Sequence, residues 1–79
     1  IFIMKIVKLG DVLEYNNGMY GLVVHVTDDG VILDLSDGTS FTITRSQILM
    51  GISKGNIKYK SFKKDEISPS HWFYSKFKF

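Results

Sequence analysis

Short glycine-containing turns divide this chain into brief segments, and their spacing constrains the fold more than any other feature of the sequence. Asn-Gly and Asp-Gly pairs supply the positive φ angles that tight hairpin turns require. The segments between the turns are rich in β-branched and aromatic residues, which are typical of strands. None of them is long enough for the crossover that parallel strands need. We therefore predict antiparallel strands joined by turns at Gly10-Asp11, Asn16-Asn17-Gly18, Asp28-Asp29-Gly30, Asp37-Gly38, Gly51 and Gly55-Asn56.

Three consecutive strands are predicted in the middle of the chain, at Met19–Thr27, Val31–Ser36 and Thr39–Arg45. Side chains alternate between the two faces of a strand, so Val31 and Leu33 share the inner face while Asp34 points to solvent. The same alternation places His25 of the preceding strand outward. It assigns the opposite face of that strand to Tyr20, Leu22, Val24 and Val26.

Further strands are predicted on both sides of these three. Lys5–Leu9 and Val12–Tyr15 precede them, and Ile52–Phe62 follows with an interruption at Gly55-Asn56. Ser46–Met50 is long enough for one helical or 3₁₀ turn, with Ser46 as its cap and Gly51 at its end.

The aromatic end of the chain allows two interpretations. Ser68-Pro69 is a pair that can start a short helix, because proline is tolerated at the first helical position. The terminal residues Phe73, Ser75 and Phe77 instead alternate with Tyr74 and Lys76, which is strand periodicity. We prefer a turn at Ser68–His71 followed by a strand.

The length of 79 residues limits the chain to one small domain, 1–79. Closing a sheet protects the hydrogen-bonding edges that an isolated sheet would expose, so we predict an all-β fold: a small antiparallel barrel of five to six strands over about 5–62. A basic aromatic extension over 63–79 follows it. With no cysteine, the fold has no disulfide and depends on packing, which fits a reducing, cytoplasmic setting. No apolar run approaches the length that spans a bilayer, so no membrane role is predicted.

The turn and strand pattern over about residues 8–60 resembles the opening of SH3-like small barrels of the Tudor and KOW type. In that group a Gly-Asp pair starts the first strand, a glycine turn follows, and a Gly-x-Val step bends the second strand. The matching segments are Gly10–Tyr15, Asn17–Val26, Asp37–Thr39 and Phe41–Ile43. The resemblance implies an SH3-like barrel and a binding module for nucleic acids, ribosomal or polymerase components, or peptides. It brings no catalytic residue with it.

Charge is divided unevenly along the chain. Residues 1–50 contain three basic and six acidic residues, whereas residues 51–79 contain seven basic and two acidic residues. Seven of the eleven aromatic residues also lie in the basic part. A positive, aromatic-rich segment indicates a polyanionic partner, although lysines can equally serve to keep an aromatic strand soluble.

No arrangement of residues indicates catalysis, a metal or a cofactor. His25 and His71 lie 46 positions apart with no cysteine to complete a zinc site. The acidic residues between Asp28 and Asp37 are separated by a predicted strand, which an EF-hand loop does not tolerate. There is no Gly-x-Ser-x-Gly elbow and no phosphate-binding P-loop, so we do not expect an enzyme.

We predict a non-catalytic binding module for RNA or DNA. Lysines neutralise phosphates and aromatic rings stack on bases, and the basic half supplies both. Nine lysines against one arginine argue against precise base recognition, which usually depends on the two-donor fork of arginine. The predicted contact residues are Lys54, Lys58, Tyr59, Lys60, Phe62, Lys63, Lys64 and Trp72.

The alternative is recognition of a larger protein. An exposed aromatic patch of Trp72, Phe73 and Tyr74 could dock a partner, and the acidic turns could pair with a basic one. Small chains without catalytic residues often act as regulatory or inhibitory factors, such as those that phages encode. The sequence also leaves a homodimer open.

Overall fold

The computed structural model describes residues 7–62 and 68–77. These residues form five strands and two helices. In chain order the elements are β1 (Val12–Tyr15), β2 (Tyr20–Val26), β3 (Gly30–Leu35), β4 (Ser40–Thr44), α1 (Arg45–Ser53), β5 (Ile57–Tyr59) and α2 (Pro69–Lys76).

The five strands form one antiparallel sheet in the order β4-β3-β2-β1-β5. The hairpins predicted from the turn spacing are confirmed, because β2, β3 and β4 occupy the three central segments and β1 occupies Val12–Tyr15. Gly18 and Gly38 have φ angles of 91° and 92°, the left-handed conformation that glycine adopts without strain. The local turn residues therefore determined the meander.

A β-bulge changes the faces of β2. Val23 lies opposite Leu33, but His25 lies opposite the next residue of β3, Ile32, so Val24 is the extra residue. After the bulge Val26 pairs with Val31 and shares its face, and the prediction that Val26 shares a face with Leu22 is wrong. One inserted residue reverses the alternation for the rest of the strand. His25 is exposed, as predicted, but its pairing with Ile32 places it on the face of Leu22, so the prediction that it lies on the opposite face is wrong.

Helix α1 replaces the single turn predicted after β4. Thr44 is its N-cap: the Thr44 hydroxyl accepts a hydrogen bond from the Gln47 amide, and the Gln47 side chain accepts one from the Thr44 amide. This capping box starts the helix, so the prediction of Ser46 as the cap is wrong. Gly51 does not end the helix but lies inside it, buried against Ile57 of β5. The helix contacts both β4 and β5, the two edge strands of the sheet.

Two of the outer strand predictions do not agree with the structure over their full length. Val7–Leu9 is not in a strand, and the rest of the predicted segment 5–9 lies outside the described residues. Of the predicted strand Ile52–Phe62, only Ile57–Tyr59 pairs with β1, because its first residues belong to α1.

The predicted C-terminal strand is wrong, since Pro69–Lys76 is helix α2. Ser68 is its N-cap, accepting a hydrogen bond from the His71 amide at 3.2 Å, and Pro69 occupies the first turn. The alternative interpretation, a short helix that starts at Ser68-Pro69, is therefore correct. In the helix Phe73 and Phe77 lie one turn apart with ring centroids 5.2 Å from each other.

Apolar side chains cover both faces of the sheet. The α1 side holds a core of Leu13, Val23, Val31, Leu33, Ile43, Ile48 and Ile57. On the other side Phe73 of α2 is buried against Val12 and Leu22. The fold is therefore mostly β with a helix on each face, and the all-β prediction omitted the second covered face. Asp34, expected to face solvent, is half-buried there and accepts a hydrogen bond from the Tyr74 hydroxyl at 2.8 Å.

A candidate basic and aromatic surface

Lysines and aromatic rings meet where α2 packs beside the end of β5. We call this group the basic–aromatic cluster. The Lys60 amide donates a hydrogen bond to the Val12 carbonyl at 2.9 Å, which holds the chain after β5 alongside β1. Phe73 fixes α2 on the same face of the sheet. The cluster consists of Tyr20, Lys60, Phe62, Trp72, Lys76 and Phe77.

Trp72 lies at the centre of the cluster. Its ring centroid is 5.3 Å from that of Tyr20, 5.6 Å from that of Phe62 and 6.0 Å from that of Phe77. All three contacts are edge-to-face, the arrangement that the charge distribution of aromatic rings favours. Each of these rings is half-buried. The aromatic part of the cluster is therefore a packed group and not a set of free side chains.

Two lysine ammonium groups lie over these rings. Lys60 Nζ is 4.9 Å from the Trp72 centroid and 5.0 Å from that of Phe62. Lys76 Nζ is 5.9 Å from the centroids of both Trp72 and Phe77. Because both ammonium groups are close to the same ring, they are no more than about 11 Å apart. Cation–π attraction of roughly 0.5–1 kcal/mol at an exposed site holds each one there.

The structure divides the predicted nucleic-acid contacts between two faces. Lys58 and Lys60 share the α2 face, as their spacing predicts, while Tyr59 lies opposite Leu13 on the α1 face and is 40% exposed. Burial, and secondarily the negative charge of Asp11, raises the pKa of Tyr59. Lys54 is at the C-cap of α1, outside the cluster. Lys63 and Lys64 lie outside the described residues.

The aromatic patch predicted for a protein partner does not form as expected. Phe73 is 0% exposed and belongs to the core, so its ring is not available at the surface. Tyr74 is 45% exposed, and its hydroxyl is bonded to Asp34. That hydrogen bond, together with lesser contributions from burial and the Asp34 charge, raises the pKa of Tyr74. Of the three predicted residues, Trp72 alone belongs to the cluster.

Acidic side chains on the same face reduce the positive charge. Glu14 lies directly opposite Lys58 in the β1–β5 pairing, so the two charges offset each other. Asp34 is held by Tyr74 nearby on α2's side of the sheet. Lys60 and Lys76 therefore carry the positive charge that Glu14 does not offset on the described part of this face, and the Asp34 carboxylate reduces the net charge further, because the Tyr74 hydroxyl that binds it is neutral.

Two grooves on the α1 side were not predicted. The larger, of about 430 Å³, lies between α1 and the turn after β1, and the smaller has about 190 Å³. Tyr15 lines both of them, and its buried hydroxyl has no hydrogen-bond partner among the described residues. Burial raises the pKa of Tyr15. The Asn16 side-chain amide donates to the Asn56 side chain at 2.9 Å, a contact between residues too distant in sequence for any pattern to reveal.

Residues 7–62 and 68–77 contain neither a candidate metal site nor a candidate membrane-spanning helix. These residues contain no group of three or more histidine or acidic side chains that could hold a metal ion. Neither helix in this part of the chain is long and apolar enough to cross a membrane.

Comparison with known proteins identifies one partial relative. The chain is 46% identical over 33 residues to an uncharacterised protein, YkvS, of Bacillus subtilis (strain 168). The match covers 42% of this chain and 54% of that protein, so the chain spans about half the length of this curated relative. No protein-family model matches the chain, and no solved structure matches it.

Proposed function

We propose that this protein is a non-catalytic module that binds nucleic acid through its phosphate backbone. The observation that carries the proposal is the position of Lys60 and Lys76, whose ammonium groups both lie over Trp72. A lysine side chain in solution loses up to about 2 kcal/mol of rotamer entropy when it is fixed. Because contact with the rings already restricts each lysine side chain, less rotamer entropy is lost when a phosphate binds.

The composition of the basic residues supports binding with little preference for the base sequence of the nucleic acid. Nine of the ten basic residues are lysines. The single arginine, Arg45, follows β4, at the edge of the sheet opposite β5, and donates a hydrogen bond to the Asp28 carbonyl. Lysine acts as a point charge and lacks the planar fork that distinguishes base edges. The proposed contacts therefore position the nucleic acid without reading its bases.

We also propose that the five-stranded sheet forms an SH3-like barrel. Three features support it: the four-strand meander, the pairing of β5 with β1, and a helix that joins the two edge strands. Such barrels are filled by side chains, which leaves their outer surface for binding. A binding role is consistent with this arrangement.

Oligonucleotide binding by matched lysine variants tests the function. We expect the wild-type protein to bind a labelled oligonucleotide at about 50 mM salt, with affinity falling as salt rises. Lys60→Gln and Lys76→Gln should each weaken binding, because each removes a phosphate contact. Lys54→Gln removes the same charge at the end of α1 and is the control. Equal weakening by all three variants, or no wild-type binding at low salt, would contradict the proposal.

A protein partner is the second candidate, and the grooves beside α1 favour it. Met50 is 56% exposed in the larger groove and Phe41 is 46% exposed in the smaller one. Lys54 is the charged residue of the larger groove, so its chemistry fits a protein segment that combines apolar and acidic side chains. Such a partner would suit a regulatory or inhibitory role.

A display library of short peptides would test this candidate. Selected peptides should be apolar and acidic, and Met50→Glu should abolish their binding, because it removes an apolar contact and repels acidic side chains. Leu49→Glu is the matched control, because Leu49 is an exposed apolar residue of the same helix that does not line the groove. Selection of basic peptides, or equal loss in both variants, would rule out the groove as the docking site.

A further inference from the structure

Each ring of the basic–aromatic cluster already lies against another ring or a lysine. Three ring centroids and two ammonium groups lie within 6.0 Å of the Trp72 centroid. Lys60 also lies over Phe62, and Lys76 also lies over Phe77. A nucleobase that stacked on Trp72, Phe62 or Phe77 would compete for the ring with a lysine, which is the group that would neutralise its phosphate.

The other aromatic residues of the basic half that the structure describes do not supply a stacking platform beside these lysines. Tyr59 is on the opposite face of β5. Tyr74 has its hydroxyl fixed on Asp34, which places a carboxylate next to the ring's polar end and disfavours an approaching phosphate. Phe73 is fully buried. Among the residues that the structure describes, the lysines of the cluster are therefore not combined with an available ring face.

From this separation, and resting on the proposed function, we propose that the ligand is double-helical nucleic acid and not a single strand. Single-strand binding proteins gain much of their affinity from bases stacked on aromatic rings. Without that contribution only phosphate contacts remain, and a duplex presents phosphates at twice the axial density of one of its strands. Duplex DNA and duplex RNA share this chemistry.

Salt dependence gives the expected size of the effect. Each neutralised phosphate of a duplex contributes about −0.9 to the slope of log affinity against log salt. The pair Lys60 and Lys76 should therefore contribute about −1.8, which is a roughly 12-fold loss of affinity between 50 and 200 mM salt. The variant with both lysines changed to glutamine should lose this part of the salt dependence, whereas Lys54→Gln should retain it.

The experiment compares four probes of one sequence: a DNA duplex, an RNA duplex, the corresponding single strand, and an abasic single strand that keeps the phosphates. Trp72, the one tryptophan of the chain, reports on the cluster by fluorescence. We expect a duplex to bind more tightly than the single strand, little quenching of Trp72, and equal binding of the abasic and ordinary single strands. The two duplexes distinguish DNA from RNA.

Other results would overturn the proposal in one of two ways. Stronger binding of the ordinary single strand, or strong quenching of Trp72 by it, would show that bases stack and would leave the proposed function intact. Binding of the abasic strand about fivefold or more weaker than that of the ordinary single strand would show the same. Absence of binding to all four probes would reject both the duplex preference and the proposed function.

Discussion

Gly30 shows how a single residue can be required for a reason that its sequence context hides. In the sequence it follows Asp28 and Asp29 and indicates a turn. In the structure it is the first residue of β3, opposite Thr44 of β4. A Cβ on Gly30 would overlap the carbonyl oxygen of Ile43 and lie 2.7 Å from Thr44 Cα. Because both atoms belong to the backbone, neither can move without disturbing the sheet.

Gly30→Ala is expected to destabilise the protein by about 3 kcal/mol, at the upper end of the range for overpacking. Gly21→Ala is the control, since its Cβ would meet the ends of the Leu33 and Leu35 side chains at 3.1 and 3.2 Å, and these can shift. Urea unfolding of both variants measures the difference. A loss at Gly30 no larger than that at Gly21 would contradict the backbone contact.

At the scale of elements, both helices begin at polar caps that can be recognised in the sequence. Thr44 and Gln47 have the spacing of a capping box, and Ser68 precedes Pro69. The choice of Ser46 missed the first helix start by two residues, because the strand was assumed to continue through Arg45. Strand alternation misled the assignment of α2, since Phe73 and Phe77 are four residues apart and share a face both with a period of two and with a period of 3.6.

The two candidate caps of α1 can be separated by a pair of alanine substitutions. Thr44→Ala should cost about 1 kcal/mol of unfolding free energy, because it leaves the Gln47 amide without its partner. Ser46→Ala should cost almost nothing, since Ser46 is exposed inside the first turn and alanine favours a helix. Thermal or urea unfolding measures both. A larger effect of Ser46→Ala would show that Ser46, the cap predicted from the sequence, is the N-cap of α1.

At the scale of the whole molecule, folding raises the pKa of three tyrosines. Burial does this for Tyr15 and Tyr59, and the hydrogen bond to Asp34 does it first for Tyr74. The folded protein therefore holds these protons more tightly than the unfolded chain. Their contribution to stability is complete below the unfolded tyrosine pKa of about 10 and is lost as pH rises through the folded values.

We therefore expect the melting temperature to fall as pH rises above about 10. Tyr74→Phe cannot form the bond to Asp34 or ionise at that position, so its alkaline decline should be shallower than that of the wild-type protein. Melting curves across the alkaline range, with phenolate absorbance to follow ionisation, measure the effect. Identical declines in the two proteins would mean that Tyr74 does not contribute.

Packing of the whole molecule explains why only part of the basic–aromatic cluster could be predicted. Its cation and ring types follow from the basic, aromatic second half of the sequence, and Lys60, Phe62 and Trp72 were among the predicted contacts. The participation of Tyr20 was not predicted, because it reaches Trp72 only when α2 docks on β1 and β2. Lys76 was missed because it lies one helical turn after Trp72, a neighbourhood that the predicted strand does not create. Burial of Phe73 depends on the same docking.

The sequence by itself determined the strands and their order along the meander, because the glycine turns and the alternation of side chains act over only a few residues. Tertiary structure decided the bulge in β2, the helical form of the C-terminal segment, and the second covered face of the sheet. Each of these depends on contacts between residues far apart in the chain. A buried ring such as Phe73 contributes more free energy than local propensity, and so long-range packing chose between conformations that the local sequence permits equally.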